Sequence, residues 1–216
     1  MAVAGLNIAS VAEQVLLQEA TAIQALVPLI NADFERAVRL IAGCNGRIVI
    51  TGVGKSAIIG QKIVATFNST GTPSVFMHAG DAIHGDLGII QPSDTVLCIS
   101  KSGESPEIRV LLPLLRSFNI PLIAIVGNIS STLARQADCV LNTTVSREAC
   151  PNDLAPTAST TAQLVMGDAL AVCLMELKGF STDDFARLHP GGTLGKKLYL
   201  QVNDLSVRNE KPAVME

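Results

Sequence analysis

A loop dense in hydroxyl groups is the first feature of this sequence that suggests chemistry. Residues 100–105 read Ser-Lys-Ser-Gly-Glu-Ser, between an apolar run and Pro106. Hydroxyls and backbone N–H groups at the start of a helix bind a phosphate monoester without a metal. Ser105 would also be a good N-cap ahead of Pro106, and one residue can serve both purposes. The candidate ligand contacts here are Ser100, Ser102, Gly103, Glu104 and Ser105.

A second loop, Gly52-Val-Gly-Lys-Ser56, joins an apolar run to a helical pattern. A nucleotide-binding P-loop would need glycine five residues before Gly54, where Val49 stands. A dinucleotide fingerprint fits formally, but the next predicted strand ends at a histidine instead of an acidic residue. The remaining interpretations are a plain structural turn and a turn above a sugar site. In the latter, Gly54, Lys55 and Ser56 face the ligand.

Three residues could move protons. Glu107 lies in the first turn of the predicted helix after the hydroxyl loop, where it could equally serve the helix dipole. Glu148 lies in an irregular stretch, and from the residues alone we expect an exposed loop carboxylate. His189 precedes Pro-Gly-Gly and is either a helix C-cap or an acid–base group on a rigid loop.

Two histidines, His78 and His84, flank a short segment with Asp81 and Asp86 nearby. Their spacing matches no strong metal motif. We therefore expect an adventitious or inhibitory metal rather than a catalytic one.

Short apolar strands alternate with helical patterns from about residue 47 to 188. This rhythm predicts an α/β fold: a doubly wound parallel sheet with helices on both faces. Ligands of such sheets bind beyond the carboxyl ends of the strands, where both polar loops fall. An N-terminal helical stripe ends near Pro28, and Asn31 or Asp33 could cap the next helix. One domain over 1–203 and a tail or linker over 204–216 complete the expected organisation.

The composition restricts the classes of partner. Of 216 residues, 48% are hydrophobic and 16% charged, so we expect a homo-oligomer that covers apolar surface. A net charge of -3, no Trp and one Tyr argue against nucleic-acid binding. Five scattered cysteines and a start without a basic leader favour the cytoplasm. The most apolar stretch, 158–180, contains charged residues and predicts a buried or interface helix rather than a membrane span.

Several runs together resemble the sugar isomerase (SIS) family, and within it the D-arabinose 5-phosphate isomerases. Besides the two loops they include Ser69-Thr-Gly-Thr-Pro-Ser74, His84-Gly-Asp-Leu-Gly88, Glu148-Ala-Cys-Pro151, Ala155-Pro-Thr-Ala-Ser-Thr-Thr161, Met166-Gly-Asp-Ala-Leu-Ala171 and His189-Pro-Gly-Gly-Thr-Leu-Gly195. A Ser-x-Ser-Gly loop alone would indicate only the SIS superfamily. The Glu-Ala-Cys-Pro and His-Pro-Gly-Gly segments make the match specific.

The resemblance implies interconversion of D-ribulose 5-phosphate and D-arabinose 5-phosphate through a cis-enediol, supplying 3-deoxy-D-manno-octulosonate for lipopolysaccharide or capsule. It implies catalysis by Lys55, Glu107, Glu148 and His189, with Glu148 favoured over Glu107 as carbon base. It also implies sugar contacts at Gly71, Thr72 and His84 and a zinc-binding position at His78. No cofactor or metal is required, and the expected assembly is a tetramer in which the His189 loop serves a neighbouring subunit.

Two departures from the family pattern stand out. Ala79-Gly80-Asp81 replaces a common Pro-Gly-Glu, which could alter metal or sugar contacts. Many members continue into a pair of CBS domains that would begin near Asn203, and both a truncated chain and a natural single-domain form fit this sequence. The alternative function is a non-enzymatic SIS module that senses a phosphosugar. Such a module keeps the hydroxyl loop without needing a proton-transfer set.

Overall fold

The structure, a computed structural model, describes residues 6–192, 195 and 196. The predicted boundary at residue 203 lies outside the described residues. The strands are β1 (Ile48–Gly52), β2 (Ser74–His78), β3 (Thr95–Ser100), β4 (Leu122–Val126) and β5 (Cys139–Asn142). The helices are α1 (Ile8–Gln24), α2 (Ala32–Ala42), α3 (Lys55–Ser69), α4 (Ala79–Ala82), α5 (Pro106–Ser117), α6 (Thr132–Gln136), α7 (Ala158–Lys178) and α8 (Thr182–Leu188).

All strand pairs in this sheet are parallel, in the order β2-β1-β3-β4-β5. The chain moves outward from β1 to β2, then returns past β1 and continues in the other direction through β3, β4 and β5. The reversal falls between β1 and β3, whose carboxyl ends are aligned where Gly52 pairs with Ile99. In this topology that crevice is the usual ligand site.

The core lies on both faces of the sheet, which confirms the predicted doubly wound α/β fold. Successive residues of β1 point to opposite faces: Ile48 and Ile50 pack with α2, α3 and α7, whereas Val49 packs with α4, α5 and α6. Every residue of β1, β3 and β4 is buried. Burial on both faces explains why these strands read as continuous apolar runs.

The long helix α7 packs against α1, α2 and α3 on one face of the sheet. It has the length and composition that a membrane span requires, but half of its most apolar 18-residue window is buried inside the protein. Its last turn ends at Gly179, which has φ of 62°. The helix is thus half-buried in the protein, which agrees with the predicted buried or interface helix.

Helix α1 has no buried residue, although it is rich in large apolar side chains. Leu16 and Leu17 on α1 are exposed, as are Val27 and Ile30 just after it. Exposed apolar surface of this kind is typical of subunit contacts. The helix ends before Pro28, which lies in a 3₁₀ turn, and Asn31 caps α2.

Candidate active site

Four buried side-chain atoms lack a hydrogen-bond partner within the described residues, and all four lie at the carboxyl edge of the sheet. They are Thr51 Oγ1 at the end of β1, His78 Nδ1 at the end of β2, Ser105 Oγ after β3 and Thr143 Oγ1 after β5. Buried polar atoms are nearly always paired with protein or water, so a cluster of exceptions marks a place where water or a ligand supplies the partner. This edge is therefore the candidate site.

The hydroxyl loop after β3 folds as a tight turn stabilised by its own side chains. Ser100 Oγ accepts a hydrogen bond from the N–H of Gly103 at 3.0 Å, and Ser102 Oγ accepts one from the N–H of Glu104 at 3.2 Å. Ser105 begins α5 without capping it through its side chain. Its buried hydroxyl and the first N–H groups of α5 are consequently available to an anion.

Glu104 faces the neighbouring helix. Its carboxylate accepts hydrogen bonds from the N–H and the hydroxyl of Thr132, at the start of α6. These bonds lower the pKa of Glu104. Glu104, a predicted ligand contact, therefore caps the start of α6.

The loop after β1 brings the backbone to the same edge. Gly54 has φ of 60° and ψ of −130°, a conformation that an L residue with a side chain rarely adopts. It places the uncapped N-terminus of α3 beside the end of β1, with Lys55 exposed as the first helical residue. Ser56 turns inward and donates its hydroxyl hydrogen bond to Gln163 of α7, at 3.1 Å.

Glu148 was predicted from its residue type to be an exposed loop carboxylate, and that prediction is wrong. It is fully buried instead of solvated. Its Oε2 accepts hydrogen bonds from the N–H groups of Thr157 at 2.9 Å and Ser159 at 3.0 Å, so the carboxylate sits at the N-terminus of α7. Its Oε1 accepts one from the Ser159 hydroxyl.

An ammonium group completes the surroundings of Glu148. Lys101 Nζ lies 2.6 Å from Glu148 Oε1. Burial alone would raise the pKa of Glu148, but the hydrogen bonds from Lys101, Ser159 and Thr157 outweigh it and lower the pKa to about 2. The carboxylate is ionised, and because Lys101 belongs to the hydroxyl loop, the ion pair joins Glu148 to the candidate phosphate site.

Lys101 is the functional candidate that sequence reasoning missed. The residue was visible as a cation inside a predicted phosphate loop. Nothing in the sequence indicates that a side chain 47 positions away would be its partner. Only the fold brings the segment after β5 back over the end of β3.

Glu107 and His84 also lie at this edge. Glu107 is half-buried in the first turn of α5, directly behind the hydroxyl loop. His84 is exposed in the connection after β2. Lys55, Glu107 and His84 thus follow β1, β3 and β2, at the edge that also carries the Lys101–Glu148 pair.

His189 stands apart from this group. It ends α8, its Nδ1 lies 2.8 Å from the carbonyl oxygen of Phe185, and its ring stacks on that of Phe185 with centroids 3.8 Å apart. Both contacts are with its own helix. Within the described residues, the structure does not bring His189 to the other three predicted catalytic residues.

Gly71 and Thr72 lie at the opposite edge of the sheet, ahead of β2. The carbonyl of the following residue, Pro73, accepts a hydrogen bond from the N–H of Ile48, at the amino end of β1. The buried Thr72 hydroxyl accepts one from Lys178 Nζ at 2.9 Å. This turn therefore ties β2 to the end of α7 and does not join the loops after β1 and β3 in the same chain.

The predicted metal position, His78, has Asp81 as a neighbour, with 3.6 Å between Nδ1 and Oδ2. The described residues contain no cluster of three or more His, Cys, Asp or Glu side chains that could hold a metal ion. A zinc ion at His78 would need further ligands from water, substrate or another chain.

Comparison with known proteins agrees with this architecture. The SIS domain model matches residues 40–173. The arabinose 5-phosphate isomerases KdsD of Escherichia coli K12 and Yersinia pestis are 51% and 52% identical to this chain over 201 residues, 93% of its length. The chain spans 61% of the length of these relatives.

A solved structure, E. coli CFT073 c3406 in complex with arabinose 5-phosphate, superposes with a TM-score of 0.83 at 38% sequence identity. The match covers 87% of this chain and 100% of that one. With the domain model, the sequence relatives and the strand order in agreement, this chain belongs to the SIS-domain family.

Proposed function

We propose that this domain is an aldose–ketose isomerase that interconverts D-ribulose 5-phosphate and D-arabinose 5-phosphate through a cis-enediol(ate). The observation that carries the proposal is the 2.6 Å ion pair between Lys101 and Glu148, which joins a buried ionised carboxylate to a hydroxyl-rich loop. A phosphate held by that loop would place a five-carbon sugar beside a proton-transfer group. The similarity to KdsD proteins and to the c3406 complex supports this choice of sugar.

In the proposed mechanism the loop after β3 binds the phosphate through Ser100, Ser102, Gly103 and Ser105. Glu148 takes the proton from the carbon beside the carbonyl and returns it to the neighbouring carbon. Lys55, at the N-terminus of α3, stabilises the negative oxygen of the enediolate. Glu107 is the second acid–base candidate at this edge, and general acid–base groups of this kind contribute roughly 10²- to 10⁴-fold to rate.

His189 opens the sugar ring or moves the oxygen-bound proton, and we propose that it does so in the site of a second subunit. The contacts of its ring with Phe185 of its own helix, and its separation from Lys55, Glu107 and Glu148 within the described residues, support this arrangement. Gly71 and Thr72 would likewise meet a sugar bound by another chain. The exposed apolar side chains of α1 support a homo-oligomer, and a tetramer is the proposed form.

The proposed reaction needs no redox cofactor and no metal, since the site already supplies a base and cations. Any zinc at His78 would be adventitious or inhibitory. We place the reaction in the cytoplasm, in keeping with five free cysteines, and we place its product upstream of 3-deoxy-D-manno-octulosonate synthesis for lipopolysaccharide or capsule.

The test is the conversion of D-arabinose 5-phosphate to D-ribulose 5-phosphate in the presence of EDTA. We expect turnover by the unmodified chain, a loss of roughly 10²-fold or more in Glu148→Gln, and little change in Glu13→Gln, an exposed carboxylate on α1. Binding of the sugar phosphate without turnover, in folded oligomeric protein, would favour the phosphosugar-sensing module instead.

A further inference from the structure

We propose that Lys101 is a positioning residue for Glu148. Its ammonium exchanges between Glu148 Oε1, where this structure places it, and the phosphate group of the substrate, and the exchange frees Oε1 to accept the carbon-bound proton. The inference deepens the proposed function and rests on it.

The two partners of this ion pair differ sharply in burial. The side chain of Glu148 is 0% exposed, whereas that of Lys101 is 48% exposed. The carboxylate is held by the start of α7, while the ammonium is at the end of a flexible four-carbon stem. When the pair separates, Lys101 is therefore the partner that moves.

Lys101 also covers the one carboxylate oxygen that a substrate could use. Glu148 Oε2 is occupied by the N–H groups of Thr157 and Ser159, which belong to the helix start and are fixed. Oε1 is shared between the Ser159 hydroxyl and Lys101. The Lys101 ammonium occupies a position beside Oε1 that a sugar carbon would have to reach, so in the proposed exchange it leaves before proton transfer.

A destination for the ammonium lies next to it. A cavity of about 420 Å³ is bordered by Lys101, Ser102, Gly127, Asn128, Thr143 and Val145. Lys101 and Ser102 belong to the hydroxyl loop, and Thr143, after β5, has its Oγ1 buried without a partner among the described residues. A phosphate monoester carries a charge of about −1.5 to −2 near neutral pH, more than the single charge of Glu148, so it competes for the ammonium.

The other ionisable groups that hydrogen-bond around Glu148 are acids. Asp153 of the same segment accepts the hydrogen bond of the Glu148 N–H, and Glu19 of α1 accepts one from Thr161 of α7. Among the described residues Lys101 is the cation that contacts Glu148. Moving it away raises the pKa of Glu148 from about 2 towards the ordinary range and makes the carboxylate a stronger base.

The proton balance of the step is simple. Glu148 Oε1 takes the hydrogen from C2 of the open-chain aldose, and the C–H electron pair becomes the C1=C2 bond of the enediolate. The negative charge passes to the oxygen on C1. Return of the same proton to C1, with a proton shift between the two oxygens, gives the ketose and restores the carboxylate.

The direct test is ¹³C NMR of protein labelled at glutamate Cδ, with the Glu148 signal assigned by its loss in Glu148→Gln. At pH 7, where phosphate carries most of its charge, saturating inorganic phosphate should shift the Glu148 signal of the unmodified chain and leave that of Lys101→Met in place. In acid titrations without phosphate, the pKa of Glu148 should be higher in Lys101→Met than in the unmodified chain, by about 1 to 3 units.

Two control variants distinguish the effect of the Lys101 charge from an effect on folding. Lys101→Arg keeps the charge and should behave as the unmodified chain. Lys62→Met removes an ammonium from the exposed ion pair with Asp168 and should leave the Glu148 titration unchanged. An unmodified chain whose Glu148 signal ignores phosphate, or a Lys101→Met variant that titrates as the unmodified chain does, would overturn the exchange.

Kinetics distinguish failure of this inference from failure of the proposed function. The acid limb of kcat/KM should move to higher pH in Lys101→Met and stay in place in Lys101→Arg and Lys62→Met. Turnover without a phosphate effect on Glu148 would refute the role of Lys101 alone. If phosphate changed the Glu148 signal in a protein that shows no turnover, the proposed isomerase reaction would be refuted. Only the exchange of Lys101 between Glu148 and phosphate would then stand.

Discussion

A Cβ atom on Gly103 would overlap the Oγ of Ser131, and Gly103 has φ of 65°. The hydroxyl loop after β3 and the start of α6 thus touch at a point where only glycine fits. Gly103 also donates the 3.0 Å hydrogen bond to Ser100 that shapes the candidate phosphate site. Stability and ligand binding therefore depend on the same residue.

We accordingly expect Gly103→Ala to lower both stability and phosphate affinity. The strained backbone and the clash with Ser131 should reduce the free energy of unfolding by about 1 to 3 kcal/mol. Urea denaturation and calorimetric titration with inorganic phosphate measure the two effects. Gly88→Ala is the control, since a Cβ there has open space and no positive φ. Equal behaviour of the two variants would contradict the argument.

Ser105→Ala should separate binding from stability. The Ser105 hydroxyl is buried without a partner among the described residues, so its removal should leave the free energy of unfolding unchanged or slightly raised. Phosphate affinity should fall by about tenfold, because a hydrogen bond to a charged group contributes about 1.5 kcal/mol.

Ser131→Ala is the matched serine control. Its hydroxyl caps α6 by accepting the N–H of Ala134, so this variant should lose about 1 kcal/mol of stability. The phosphate affinity should change little. If Ser105→Ala destabilised the chain and bound phosphate normally, the hydroxyl would be structural.

The buried carboxylate of Glu148 predicts a pH dependence of stability. Its pKa in the folded chain is about 2, below the 4.5 of a free glutamate. The stabilisation is therefore complete above about pH 5 and is lost as the pH falls towards about 2, with a total of about 3 kcal/mol. Denaturation curves of Glu148→Gln should lack this component, and those of Glu13→Gln should retain it.

Thr72→Val tests the turn at the opposite edge of the sheet. Loss of the hydrogen bond from Lys178 should lower the free energy of unfolding by about 1 kcal/mol. Thr66→Val on α3, whose hydroxyl bonds to the carbonyl of Lys62 in its own helix, should lose less. Dissociated subunits of Thr72→Val should bind inorganic phosphate normally. A fall in their affinity would place Thr72 in the site of its own chain.

The fold was largely predictable because its signals are local. Apolar runs such as residues 95–99 and 121–126 predicted β3 and β4 to within one residue at each end. The sheet order was not predictable in the same way, since pairing of β1 with both β2 and β3 is a long-range property. The carboxyl-edge loops were found because turn and hydroxyl residues follow the strands directly.

The candidate site was only partly predictable. Lys55 and Glu107 were placed correctly at the sheet edge, since each directly follows a strand–loop signal. Glu148 was expected in solvent by its residue type, because burial of a glutamate depends on partners such as Lys101 and Ser159 from other parts of the chain. His189 and Thr72 were recognised from sequence motifs. A motif does not tell at which edge of the sheet a residue lies or to which subunit's site it belongs.

One face of α7 fixes the distance between the two halves of the site. Ser159 donates a hydrogen bond to Glu148 and, one turn later, Gln163 accepts one from Ser56, which follows the loop after β1. Four helical residues rise about 6 Å, so the two attachment points are separated by a fixed length of rigid helix. Loops around the site can therefore vary in length and sequence while the spacing between its two halves stays constant. An insertion in the first turns of α7, by contrast, would put the two halves out of register.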